Sequence, residues 1–197
     1  MCGGFSQSPV DIASSSPLGD ILALNVSYPS FPTPATLENS GTILKLTLQG
    51  NVSASISGAG LPADAYNLDS IIFHWSPQQT SGSEHTIDGL PSPMEMQLQH
   101  YDASYASFED ALASSDPSSI AIVAVLFQLS ANPNGQLYPI VAALSSQAAA
   151  NGQSLLSIPA LSLGYLTAPL TPLASFFRYK YVNSHLYLIS YMPHQPY

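Results

Sequence analysis

The sequence predicts a single α+β domain, mainly β, in which a twisted, largely antiparallel central sheet carries a few short helices on its outside. Three observations point there. Residues 70–75 (SIIFHW), 94–101 (MEMQLQHY) and 43–48 (ILKLTL) alternate in the way a strand sends successive side chains to opposite faces. Residues 120–129 (IAIVAVLFQL) form an unbroken apolar run with several β-branched residues, flanked by turn signals and short for a helix. Such a run reads as a central strand buried on both faces. Finally, 197 residues with 46% hydrophobic content give one domain, residues 1–197, a real core despite 17 prolines.

The elements follow in order. Residues 13–36 are punctuated by Ser and Pro, with a short apolar piece at 21–26, and read as loop and edge strand. In the strand at 43–48, Leu44, Leu46 and Leu48 take one side and Ile43, Lys45 and Thr47 the other. Residues 51–69 hold a further short strand and a Gly/Pro turn. Of the central pair, the first strand places Ser70, Ile72 and His74 on one face and Ile71, Phe73 and Trp75 on the other. The second places Met94, Met96, Leu98 and His100 together, with Glu95, Gln97, Gln99 and Tyr101 as a polar row opposite. Residues 107–112 predict a helical turn or two. Residues 136–151 are alanine-rich at helical spacing, with Gly152 as a stop. Residues 154–175 read as a Leu/Pro-rich connector, and 176–180 (FFRYK) as an aromatic strand.

Composition excludes some functions. Twelve acidic residues stand against only Lys45, Arg178 and Lys180, giving a net charge of -9, which argues against nucleic-acid binding. Only 8% of residues are charged, a surface better suited to a secreted, extracellular or lumenal protein than to crowded cytosol. Asn25-Val26-Ser27 and Asn51-Val52-Ser53 are glycosylation sequons, meaningful if the protein takes the secretory route. Cys2 is the single cysteine, so no disulfide closes within the chain; it is a free thiol or bridges to another chain. No apolar run reaches the roughly 20 residues of a membrane helix. No signal peptide opens the sequence, which reads as a mature fragment or an incompletely represented chain.

The densest chemistry lies between the central strands, in Gly82-Ser83-Glu84-His85-Thr86. Glu84 and His85 are general acid/base candidates by residue type, whereas Ser83 and His85, adjacent on a loop, do not make a nucleophile triad. A lone histidine such as His74, between Phe73 and Trp75, is more often a hydrogen-bonded core residue than a ligand.

Phe73-His74-Trp75, Gly82 to Thr86, and the run Glu95, Gln97, His100, Tyr101 together resemble the active-site region of the α-carbonic anhydrases. There HxHW, GSEHT and ExHxxHW supply three zinc histidines. The segment 5–12 (FSQSPVDI) resembles the family's QSPI(D/N)I, which runs along the domain edge. Residues 37–42 (LENSGT) resemble its NNGH turn, and 193–196 its terminal RPxQP. The resemblance implies an α-carbonic anhydrase-like fold, shortened at both ends, that is good over 5–180 and gives way to a divergent tail at 181–197. It implies that 120–129 lines the carbon dioxide wall, where Gln99 stands at another position usually aliphatic. It also implies that Glu84 and His85 are buried scaffold, and that Glu95 orients the third zinc histidine. In secreted relatives a cysteine just before the QSPxxI motif, where Cys2 stands here, commonly pairs with a late one, which has no counterpart in this sequence.

In content the motif is broken. Two ligand positions hold Ile72 and Gln97, leaving His74. The proton-shuttle position falls on Thr42, whose hydroxyl has no pKa near neutrality, and the loop threonine survives at most as Ser184. A catalytic zinc takes about three nitrogen, sulfur or carboxylate ligands; isoleucine has no lone pair and glutamine offers a neutral carbonyl. The expectation is a catalytically degenerate member without zinc, in which Glu95, Gln97 and His74 close a polar network. Such a protein would be a structural or interaction subunit of an extracellular or lumenal assembly, with protein partners in a larger assembly or a membrane-associated complex. The alternatives are a zinc-dependent carbonate dehydratase using His74 with His85 or His100, and a small-molecule binder using the space between Gln97, Gln99 and His74.

Overall fold

The computed structural model describes residues 9–15, 24–40, 43–58, 60–76, 80–131, 133–146, 154–167, 176–180 and 185–191. In chain order the elements are β1 (Asp11–Ile12), β2 (Leu24–Ser27), β3 (Thr33–Asn39), β4 (Leu44–Leu48), β5 (Ser55–Gly58), β6 (Tyr66–Trp75), β7 (Thr86–Ile87), β8 (Leu90–Pro91) and β9 (Met94–Asp102). They continue with α1 (Phe108–Ala113), β10 (Ile120–Phe127), a 3-10 turn (Gly135–Leu137), α2 (Tyr138–Ser146), β11 (Ser154–Leu161), α3 (Leu163–Leu166), β12 (Phe176–Lys180) and β13 (His185–Tyr191). The mainly β architecture with a few short helices is the one the sequence predicts.

One ten-stranded sheet runs β11-β3-β4-β6-β9-β10-β13-β12, with β2 and β5 branching from β6. Every pairing in it is antiparallel except β10 with β13. Leu37, Leu46, Ile71, Met96, Leu98 and Val123 point to the face that holds the main core, sealed by Ile140 of α2 and by Ile158, Leu161 and Leu163. On the other face Ala124 and Leu126 pack with Ile12 and Ile87, and Ile120 and Ile122 pack with Ala111 of α1. Thus β10 is buried on both sides, as its sequence predicts. Ser107 caps α1 by accepting a hydrogen bond from the Asp110 amide.

Two sequence readings are corrected. Residues 33–39, read as loop and turn, form β3, because it is paired on both edges, by β4 and by β11, and its Thr33, Ala35 and Leu37 turn into the core. Pro34 is tolerated there with its ring on the exposed side. The connector at 154–175 contains β11 and α3: Leu156 and Ile158 are buried while Leu155, Ser157 and Pro159 are exposed, the alternation of a half-buried strand. Within 181–197 lies β13, in register with β10 from Ile120 opposite His185 to Leu126 opposite Tyr191. Cys2, Gly152, Thr42 and Ser184 lie outside the described residues. Among the described residues, no helix is long and apolar enough to cross a membrane.

Candidate functional site

The site grows from the pairing of β6 with β9. Ile72 stands opposite Gln97 and His74 opposite Glu95, so the four side chains share one face of the sheet; Ala124 and Leu126 of β10 adjoin it in the same register. Trp75, at the strand end, is 49% exposed.

The loop that crosses this face is tied down at both ends. The amides of Gly82 and Ser83 both donate to the Ser92 carbonyl at 2.8 Å, the Ser92 amide donates back to Ser83 Oγ at 2.7 Å, and Ser83 Oγ donates to the His85 carbonyl at 2.6 Å. Further on, β7 pairs with β1 and with β8. Between β7 and β8, Asp88 and Gly89 both take positive φ, 50° and 75°, the two-residue hairpin turn that Asp-Gly favours. Asp11 Oδ1 accepts from Thr86 Oγ1 at 2.6 Å and from the Gly89 amide at 2.8 Å, and these bonds hold its carboxyl below the usual range. β1, at the end of the QSPVDI motif, is therefore a strap beside the end of the GSEHT loop. A Cβ built on Gly82 would overlap the Pro93 carbonyl, a backbone group that cannot swing aside. Gly82→Ala is expected to lower stability by about 3 kcal/mol, measured as a shift in the urea midpoint; an unchanged midpoint would show that the loop does not dock this closely.

At the centre lies Glu95, with no exposed side-chain surface. Its Oε2 accepts from the amides of Glu84 and His85, each at 2.9 Å. Its Oε1 accepts from His85 Nδ1 at 2.6 Å and from Gln97 Nε2 at 2.8 Å. Burial by itself would raise this carboxyl, but the bonds and charge of His85, with Gln97, outweigh it and hold the group below the usual carboxylate range. Glu95 is thus a buried anion with all four lone-pair directions used. Gln97 Nε2 gives its second hydrogen to Glu84 Oε2 at 3.0 Å, which fixes the amide orientation, since the carbonyl oxygen could not face two carboxylates.

His74 and Glu84 depart from expectation. The side chain of Glu84 is 44% exposed and that of His74 23%, with Nδ1 of the histidine 3.6 Å from Glu84 Oε1. Glu84 is therefore not buried scaffold, because its carboxylate reaches outward to His74 while its backbone amide serves Glu95. His74 is not a core histidine, since β6 ends one residue later and the sheet no longer covers it. The network closes among Glu95, His85, Gln97 and Glu84, and His74 adjoins it through Glu84.

His100 stays apart, on the opposite face of β9, where its Nε2 meets the Tyr28 hydroxyl at 2.7 Å within the core. Burial pushes its pKa down to about 4, only partly opposed by the Ala121 and Leu98 carbonyls, and pushes Tyr28 up. Its Nδ1 is a buried atom with no hydrogen-bond partner among the described residues. Of the predicted wall, Gln99 is present and accepts from Ser70 Oγ at 3.2 Å. Sequence reasoning missed the contributions of Asp11 and Ser83. Asp11 carried a signal in the motif that contains it; Ser83 had none beyond its place in GSEHT.

As a donor set for zinc the face does not fit. Ile72 offers no lone pair, Gln97 has both amide hydrogens committed to carboxylates, His85 Nδ1 is held by Glu95, and His100 is across the sheet. Among the described residues no three His, Cys, Asp or Glu side chains gather as a metal group would require.

The model of eukaryotic-type carbonic anhydrases matches residues 1–181. The chain belongs to the eukaryotic-type carbonic anhydrase family. It is 37% identical over 152 residues to "Carbonic anhydrase 15" of Mus musculus, a match covering 74% of this chain and 46% of that protein. To "Carbonic anhydrase 1" of Mus musculus it is 33% identical over 153 residues, covering 74% and 56% respectively. The chain thus spans about half the length of these carbonic anhydrases. For a carbonic anhydrase family member, the β6–β9 face described above is the place to ask whether the chemistry survives.

Proposed function

We propose that this chain is a non-catalytic carbonic anhydrase-like domain, free of zinc, that serves as a structural or interaction subunit of an extracellular or lumenal assembly. One observation carries the reading: at the cross-strand pair where two of the three imidazoles are expected from the family motif, Ile72 faces Gln97, and Gln97 is locked by Glu95 and Glu84. A single imidazole does not hold zinc at useful affinity, so no bound water is brought to a pKa of about 7. The supporting framework persists meanwhile: β1 and the Asp-Gly hairpin are bonded to each other through Asp11, and Glu95 accepts four hydrogen bonds. A scaffold kept in order around a broken donor set fits a role in contact rather than turnover. Leu155 on β11 and Tyr165 on α3, 72% and 57% exposed, offer apolar surface for such contact.

Elemental analysis of protein purified without chelator is expected to find no zinc above trace, and stopped-flow measurement of carbon dioxide hydration no rate above buffer. Zinc at one per chain with measurable turnover would instead make this a zinc-dependent carbonate dehydratase with an atypical ligand set.

A further inference from the structure

Both sequons lie on exposed backbone next to β5, the first on β2, which pairs with it, and the second in the turn that leads into it. Among the described residues β2 pairs on one side only, with β5, so that Leu24 lies opposite Gly58 and Ser27 opposite Ser55. Along β2, Asn25 and Ser27 are exposed while Leu24 and Val26 are half-buried against the core. The acceptor amide and the hydroxyl two residues on therefore stand together on the outer surface. The second sequon sits in the turn from β4 into β5, after Gly50 with φ of 85°, and again Asn51 and Ser53 are exposed before Ala54 turns inward. β5 joins β6 at Tyr66 and Asn67, the far end of that strand from Ile72 and His74.

We propose that Asn25 and Asn51 each carry an N-linked oligosaccharide. In the transfer, the Asn Nδ2 forms a bond to the anomeric carbon of the first sugar of a lipid-linked oligosaccharide diphosphate. The bond from that carbon to the phosphate oxygen breaks, the lipid diphosphate leaves, and the amide gives up one proton. Neither glycan buries anything, since both asparagines point to solvent. Two features make the placement useful. Among the described residues β2 is an edge strand, and a sugar at Asn25 stands beside that edge. With only 8% charged residues, the surface also gains from a hydrated cover. The inference is independent of the zinc question and leaves the β11 and α3 surface uncovered for contact.

Protein isolated from its native source provides the test. Treatment with peptide N-glycosidase is expected to lower the intact mass by two glycans and to convert Asn25 and Asn51 to aspartate in the peptide map. Expressed in the same cells, Ser27→Ala and Ser53→Ala should each remove one glycan, whereas Ser27→Thr and Ser53→Thr should keep both, with thermal unfolding unchanged in the threonine pair. A mass unmoved by the glycosidase, with both asparagines recovered unmodified, overturns the proposal. One unmodified asparagine overturns the assignment of that position.

Discussion

Replacing Ile72 and Gln97 together by histidine is expected to give a chain that keeps about one zinc per molecule. The two positions are directly opposed on β6 and β9, so their Cβ atoms stand about 5 Å apart. His74 lies two residues along on the same face, about 7 Å away. Three imidazoles then converge on one tetrahedral centre, and a ring at position 97 inherits the Glu95 oxygen that now holds the Gln97 amide, the kind of support that orients metal-bound histidines. Ile72→His or Gln97→His alone supplies two imidazoles and should retain far less metal after dialysis. The readout is metal content by elemental analysis beside circular dichroism. A folded double variant without zinc would mean that these side chains do not share a face as described, and zinc in the unaltered chain would defeat the donor argument itself.

The second large effect concerns Glu95. Glu95→Ala removes the acceptor of four N–H groups and leaves His85, without exposed surface, facing no carboxylate. Breaking a buried pair in this way costs about 4 kcal/mol, a large part of the roughly 10 kcal/mol that holds a domain of this size. Urea unfolding at neutral pH should show it, and a cost below about 1 kcal/mol would mean the carboxylate is not the anchor of the loop.

The same group sets part of the acid response. Its folded pKa lies below the unfolded value, so its stabilisation is complete above about pH 4.3 and is lost as pH falls through the folded value. His100 acts earlier: its folded pKa of about 4 is below the ordinary 6.5, so the unfolded chain binds the extra proton and stability declines from about pH 6.5 downward. His100→Phe should flatten the upper part of that decline and leave the lower part, whereas Glu95→Ala should do the reverse. An acid limb identical in all three proteins would refute both assignments.

Much of this was legible in the chain. The facing of Ile71 against Ile72, and of Met96 against Gln97, follows from alternation alone, and the burial of β10 follows from its unbroken apolar run. What the sequence hid was pairing. β3 looks like loop because Pro32, Pro34 and Ser30 punctuate it, yet partners on both edges outweigh local preference; β11 is disguised in the same way by Pro159. At the site, the residue types and the sharing of a face were readable, but the direction of each hydrogen bond was not. That Glu84 reaches out to His74 while lending its amide to Glu95 depends on how a loop some ten residues long folds back, and no periodicity encodes it.

The parallel match of β10 with β13 has a consequence for biosynthesis. Between Phe127 and His185 nearly sixty residues must leave the ribosome before the oily middle strand acquires its second neighbour. A nascent chain therefore presents that strand half-zipped for several seconds at ordinary rates of synthesis. A holdase that covers that edge during translation is expected to raise the folded yield, measured by translation with and without it.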